Sequence, residues 1–340
     1  MAQDPCCSQG CRQCSLHFFL GPPLHILYPF IFSDCCVAKQ VAFFMSSSPP
    51  SQVEIQRSDA LVFSFWCLKD LGWVLLIAPL SVPAALVAIC LEAHQLLLEW
   101  PSGTWPLRAH SSAAGLWLVG NAFWMTSEFL FDFHPFTLPW YSGPYAGRNE
   151  EKYLAGVLVA QCIFSLGLLG LAVCYIYSAY RLFNPVDAPQ SGNPQDMAEL
   201  ADVAVQDPQD SLAFGVVTRE VYMMAFIGPW IIKDVFWSVE MLYPALLFSV
   251  VAGLIMLDCF RRYRTMVTLA ELFWLTSNTI WLCSEKFPGL EDHYLWPRMI
   301  SGLLLSISCG LSVHEVCKAQ KTSGQAFLAP NERTALVTTA

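Results

Sequence analysis

The sequence predicts an all-α integral membrane protein built of two homologous four-helix repeats, about eight transmembrane helices in all. Three observations lead there. The chain of 340 residues is 55% hydrophobic and only 13% charged, with a mean hydropathy of +0.46, against about 25% charged residues in a soluble domain. Next, Trp66-Cys67-Leu68-Lys69-Asp70-Leu71-Gly72-Trp73 returns 164 residues later as Trp230-Ile231-Ile232-Lys233-Asp234-Val235-Phe236-Trp237. Finally, Trp117-Leu118-x-x-Asn121-x-x-Trp124-x-x-Ser127-Glu128 reappears after 157 residues as Trp274-Leu275-x-x-Asn278-x-x-Trp281-x-x-Ser284-Glu285. Two echoes in the same order, at nearly the same offset, mark a tandem duplication.

The elements follow in order. Residues 1–58 form a cytosolic or targeting N-terminal extension. Pro22, Pro23, Pro29, Asp34 and Lys39 interrupt its apolar part, so it lacks the unbroken core of a secretory signal. An organellar transit peptide stays open, and Met45 begins a more ordinary polar start, which leaves residues 1–44 open as an optional or mis-assigned extension. The first repeat covers residues 59–181. Its opening apolar block, Ala60 to Leu98, is too long for one span of about 20 residues. Pro79, Ser81 and Pro83 divide it, because proline breaks the helical hydrogen-bond ladder. Helices are expected over 60–78, 82–98, 114–132 and 153–178. The second repeat, residues 219–317, follows the same plan with helices over 223–240, 244–260, 266–284 and 295–316. Between the repeats, residues 182–218 carry six Asp or Glu and no Lys or Arg, an acidic disordered linker. Residues 318–340 make a polar, disordered C-terminal tail.

Charge tests the span count. With the N-terminus inside, Arg57, Arg108, Arg181, Arg219, Arg261, Arg262, Arg264, Lys318 and Lys321 fall inside, and Arg148, Lys152, Lys286 and Arg298 outside. The Arg cluster on one side agrees with the positive-inside rule. The alternative takes Ala60–Leu98 as one tilted helix plus an interfacial segment, giving six spans as two inverted three-helix repeats.

Several function classes are excluded or weakened. The net charge of −9 lies largely in the linker, and the basic footprint of a nucleic-acid binder is absent. No C-x-x-C pair stands near a second pair, as a zinc site would need. Cys67, Cys90, Cys162, Cys174, Cys259, Cys283 and Cys309 fall in or near apolar spans, where cysteine acts as a small hydrophobe. Cys6, Cys7, Cys11, Cys14, Cys35 and Cys36 crowd the extension, reduced or acylated. Neither H-E-x-x-H, G-x-S-x-G, a P-loop nor a dinucleotide fingerprint occurs, so no metal, cofactor or catalytic residue is assigned.

The candidate site residues come from the echoes. A charge at mid-membrane costs ~2.5–3.5 kcal/mol on insertion scales, so Lys69, Asp70, Lys233 and Asp234 must be paired or hydrated. Neighbours in sequence point about 100° apart on a helix, which favours pairing one of each duo with a polar group on another span. The alternative is an interfacial helix with snorkelling lysines and Trp66, Trp73, Trp230 and Trp237 as belt anchors. Asn121, Trp124 and Glu128 share one helix face at i, i+3 and i+7, as do Asn278, Trp281 and Glu285. These faces either glue helices together or line a polar path between the repeats.

The combination W-x-x-K-D-x-x-W, a Pro in the next span (Pro83, Pro244) and N-x-x-W-x-x-x-E resembles a family of small integral membrane proteins of bacteria and some eukaryotes. The resemblance covers roughly residues 60–180 and 223–316 and implies one family unit per repeat. Glu128-Phe129 keeps the family's Glu-Phe, whereas Glu285-Lys286 departs from it. The resemblance implies no activity. Two function classes follow from the residues: a transporter or channel for a small solute or ion, or a non-enzymatic scaffold, sensor or assembly factor. The bilayer is the implied partner in either case. An even number of spans per repeat places both termini and the linker on one side, the cytosolic, stromal or matrix side. Tags after Ala340 and within 182–218, probed with an impermeant reagent, are expected to be accessible from the same side; opposite accessibility would support the six-span alternative.

Overall fold

The computed structural model describes residues 52–100, 105–131, 143–183, 222, 225–286 and 295–337, and among these every regular element is a helix. There are eight: α1 (Gln52–Val74), α2 (Ala78–Glu99), α3 (Trp105–Phe131), α4 (Glu150–Phe183), α5 (Ile227–Ser238), α6 (Leu242–Tyr263), α7 (Met266–Lys286) and α8 (Leu295–Val337). The N-terminal extension up to residue 51, with its six cysteines, and linker residues 184–218 lie outside the described residues. Each helix overlaps an expected one. The largest differences are that α3 starts nine residues and α1 eight residues before the expected positions and that α8 continues past Lys318 to Val337 instead of giving way to a tail, while α5 starts four residues late. Ala319, Gln320, Lys321, Gln325 and Ala326 are favourable helix formers, which accounts for the continuation.

The first apolar block breaks earlier than the prolines alone suggest. Helix α1 ends at Val74, and Pro79 falls in the first turn of α2, where its missing N–H costs nothing. Pro83 is carried inside α2. The break is a turn with Leu76 in the left-handed region (φ 57°), uncommon for a residue with a β-carbon. Its N–H bonds to the Trp73 carbonyl at 3.0 Å, and the Ile77 N–H to the Gly72 carbonyl at 2.6 Å. The same turn joins α5 to α6: Glu240 has φ 64°, its N–H reaches the Trp237 carbonyl at 2.9 Å, and the Met241 N–H reaches Phe236 at 2.8 Å. Leu76 and Glu240 are separated by the same 164 residues as Lys69 and Lys233. Because the turn folds α2 back along α1, Ala60–Leu98 is a helical hairpin and not one tilted helix. Gln95 donates to Asp59 at its far end.

The eight helices divide into two kinds. Four of them, α2, α4, α6 and α8, contain stretches long and apolar enough to cross a membrane: Ala78–Leu98, Glu150–Tyr177, Leu242–Tyr263 and Leu295–Gln320. They also carry most of the large apolar side chains that face outward, such as Leu86, Leu158, Leu169, Leu247, Leu254, Leu303 and Ile307. So much exposed apolar surface fits lipid and not water. These features suggest a membrane location. The other four, α1, α3, α5 and α7, carry the echoed motifs, and the motif tryptophans are buried at the centre.

Two long contacts join the N- and C-terminal halves. Helix α1 lies along α8, and α4 lies against α5. Small polar side chains line the first. The Ser64 hydroxyl donates to Ser312 Oγ at 2.9 Å, Ser312 donates to the Ala60 carbonyl at 2.5 Å, and Cys67 Sγ lies 3.1 Å from Ser308 Oγ. Small residues let helices approach closely in lipid, and hydroxyls then bond across the seam.

Gly72 fixes the α1–α2 hairpin. A β-carbon there would stand 2.7 Å from Ser81 N and 2.9 Å from Ser81 Cα, so backbone would have to move. Gly170 on α4 would meet nothing within 4 Å. Gly72→Ala is expected to cost about 1–3 kcal/mol by overpacking, while Gly170→Ala leaves stability unchanged or raises it. Thermal unfolding in detergent checks the contrast, and equal behaviour of the two variants would contradict the packing.

Candidate functional site

Lys69 sits three residues after Trp66 and four before Trp73, so one helix face carries an ammonium between two indoles. Its Nζ lies 5.2 Å from the Trp73 ring centroid and 5.7 Å from that of Trp117. Lys233 repeats this on α5, with Nζ 3.8 Å from the Trp230 ring and 4.6 Å from that of Trp237. Both lysines are at most 1% exposed. Desolvated cations over indole faces gain roughly 2 kcal/mol, which offsets only part of what dehydration costs.

The carboxylates supply the rest. Each lysine curls back onto its own neighbour, Lys69 onto Asp70 Oδ1 and Lys233 onto Asp234 Oδ1. The flexible lysine stem overcomes the 100° offset that argued for a partner on another span. The second oxygen of each carboxylate does find that partner, and it comes from the opposite half of the chain. Trp274 Nε1 of α7 donates to Asp70 Oδ2 at 2.6 Å, and Trp117 Nε1 of α3 donates to Asp234 Oδ2 at 2.6 Å. The rings of Trp117 and Trp274 meet edge to face, 5.8 Å apart. Two positive and two negative charges are thus closed into a neutral quartet with bonds running reciprocally across the halves.

Around it the tryptophans form a cage of two ring clusters, four indoles each, with Lys69 and Lys233 between them. Trp66 stands edge-on to Trp117 at 5.1 Å, and Trp230 packs on Trp274 at 4.9 Å. Trp73 contacts both Trp124 (5.5 Å) and Trp281 (5.0 Å), and Trp237 contacts the same two at 5.5 and 5.1 Å. These residues are core and not belt anchors: Trp66, Trp73, Trp124, Trp230, Trp237 and Trp281 are all at most 7% exposed. Among the described residues the indole N–H groups of Trp66, Trp124, Trp230 and Trp237 have no hydrogen-bond partner.

The Asn–Glu faces take up structural positions beside the cage. Asn121 and Asn278 each donate to the carbonyl four residues back, Trp117 at 3.1 Å and Trp274 at 3.0 Å. This steadies the two indoles that clamp the aspartates. Glu128 accepts from Trp73 Nε1 at 2.6 Å. Glu285 instead accepts from its own-helix Trp281 at 2.5 Å and from Arg298 Nη2 at 2.5 Å. Arg298, expected in an outer loop, is 1% exposed, and its Nη1 caps the Val74 carbonyl at 2.9 Å.

Seven of the eight expected polar residues are therefore buried within or next to the cage, and Glu285 lies partly exposed at its edge. Trp117, Trp274, Arg298 and Ser81, whose hydroxyl caps the Lys69 carbonyl at 2.5 Å, complete it and were not expected there. The first two stood in the echoed motif, so their signal was present. Among the described residues no cluster of His, Cys, Asp and Glu could hold a metal ion. No protein-family model, curated protein or solved structure matches the chain.

The cross-bonds make a graded expectation. Asp70→Ala strands Lys69 in a dry core and is expected to cost about 3–5 kcal/mol. Trp274→Phe removes one donor from a buried carboxylate, about 1–3 kcal/mol. In double-mutant cycles, Trp117→Phe is expected to couple with Asp234→Asn more strongly than with Asp70→Asn. Thermal stability in detergent is the readout, and the reverse order of coupling would contradict the crossed pairing.

Proposed function

We propose that the chain is an eight-span membrane protein of two duplicated, parallel four-helix units, acting as a non-enzymatic membrane scaffold. The carrying observation is the reciprocal pair of bonds from Trp117 to Asp234 and from Trp274 to Asp70. With the two lysines, they occupy both oxygens of each carboxylate inside the protein. A charge set consumed in this way serves to lock two units in one register. The duplication is supported by the repeated turn at Leu76 and Glu240 and by the matching cage geometry. Units of four spans share one orientation, related by an axis along the membrane normal. The product is a rigid platform that presents both termini and the 182–218 linker on one face of the membrane.

A second reading, a transporter or channel for a small solute or ion, is favoured by one observation. Four buried indole donors of the cage lack acceptors among the described residues, and each such donor costs about 1–3 kcal/mol. A polar solute between the units would satisfy them.

The test uses liposome flux and cysteine access. For the scaffold, the reconstituted protein is expected to give no pH-dependent proton or ion flux above empty liposomes. Glu128→Gln changes nothing but stability. Cysteines at Gly120 and Asn121 stay inert to a soluble thiol reagent in the folded protein, because a thiolate needs water beside it. Flux that Glu128→Gln alters, together with labelling at those positions, would replace the scaffold with the transporter.

A further inference from the structure

We infer that the outward groove between α3 and α4 is a specific site for one anionic phospholipid. This rests on the membrane location and goes beyond the scaffold reading. The groove encloses about 350 Å³. Its floor is α4 at Gly167 and Gly170, and its wall is Leu116 of α3. A β-carbon at Gly170 would meet nothing within 4 Å, and one at Gly167 only ordinary contacts with Ala113 and Leu116. The floor is therefore open to a chain lying along it. Leu166 and Leu169, 58% and 61% exposed, extend the apolar surface on either side.

The mouth has a different chemistry. Trp100 and Trp105, each about half exposed, stand where interfacial tryptophans meet headgroups. Arg108 lines the same groove, its guanidinium 5.5 Å from the Trp100 ring. Its Nε is buried and has no hydrogen-bond partner among the described residues. The residues lining the groove include no carboxylate. A half-buried guanidinium beside an aromatic ring, in a groove without carboxylates, suits a phosphate oxygen, and arginine binds phosphate through paired N–H bonds. The acyl chain then fills the floor. A phosphatidylcholine places its own cation next to the phosphate, so a lipid with net negative charge is preferred.

The purified full chain in detergent is titrated with phosphatidylglycerol or phosphatidylcholine, and adducts are counted by native mass spectrometry. One phosphatidylglycerol is expected, favoured about fivefold, the gain of one basic side chain near a headgroup. Arg108→Gln is expected to abolish the preference while leaving some binding of both lipids. Gly170→Leu is expected to reduce both adducts with thermal stability unchanged. Inorganic phosphate is expected not to displace the lipid. Equal retention of both lipids, a preference surviving in folded Arg108→Gln, or displacement by inorganic phosphate would each overturn the site. Resistance of the chain to alkaline extraction from membranes tests the membrane location separately.

Discussion

The constraint on which the rest depends is that two lysines and two aspartates must be taken out of water together. Neither half of the chain can do this alone. Within α1, Lys69 satisfies one oxygen of Asp70, but the second oxygen depends on Trp274, which the other half supplies. The same holds for Asp234 and Trp117. A half kept by itself would leave a carboxylate oxygen and an indole N–H unpaired in a low-dielectric interior, where each unmade bond costs its full desolvation. Association of the halves is thus written into the charge pattern and does not depend on apolar burial, which in lipid gives helices little reason to associate.

The arrangement of helices follows from that requirement. Helices bearing the motifs must meet at the centre, so α1, α3, α5 and α7 bury their motif indoles against one another. The others, relieved of polar duty, can be apolar enough to face lipid. That division explains why only α2, α4, α6 and α8 have stretches apolar enough to cross a membrane by composition. The central helices hold the polar residues that lower their hydropathy. It also explains the turn at Leu76 and Glu240. A left-handed residue directly after a motif helix returns the chain at once to the outer layer.

Much of this was legible in the sequence. All-helical class and the existence and order of eight helices followed from apolar runs and prolines. The recurrence of Lys69, Asp70, Lys233 and Asp234 in apolar spans marked them as residues to be paired or hydrated, while their burial at one site is seen only in the structure. What the sequence hid was pairing. The 100° rule spoke against a Lys69–Asp70 pair because it treats side chains as short spokes, whereas a lysine stem can bend back along the helix. Trp117 and Trp274 read as scenery for Asn121 and Asn278, since an indole N–H is a donor whose acceptor lies more than a hundred residues away. Arg298 read as a loop cation because charge counting sees only distance from an apolar run. No pattern within Leu295–Gln320 tells that its guanidinium turns inward to the end of α1.

The two halves are alike at the quartet and unlike at the rim. Glu128 accepts from Trp73, while Glu285 shares Arg298 with the Val74 carbonyl. Arg298 thereby ties α8 and α7 to the end of α1. The serines along α1 and α8 add further bonds on that side. Across the opposite contact, α4 meets α5 through Gln161 and Ser238, at 3.1 Å, and through Gly228 beside Leu171. The polar bonding between the halves is therefore weighted toward α1 and α8. Under the proposed duplication the two seams began equal. Once the centre alone fixes how the units meet, the rim is free to diverge, and residues such as Arg298 and Ser312 can strengthen one seam while the other stays largely apolar.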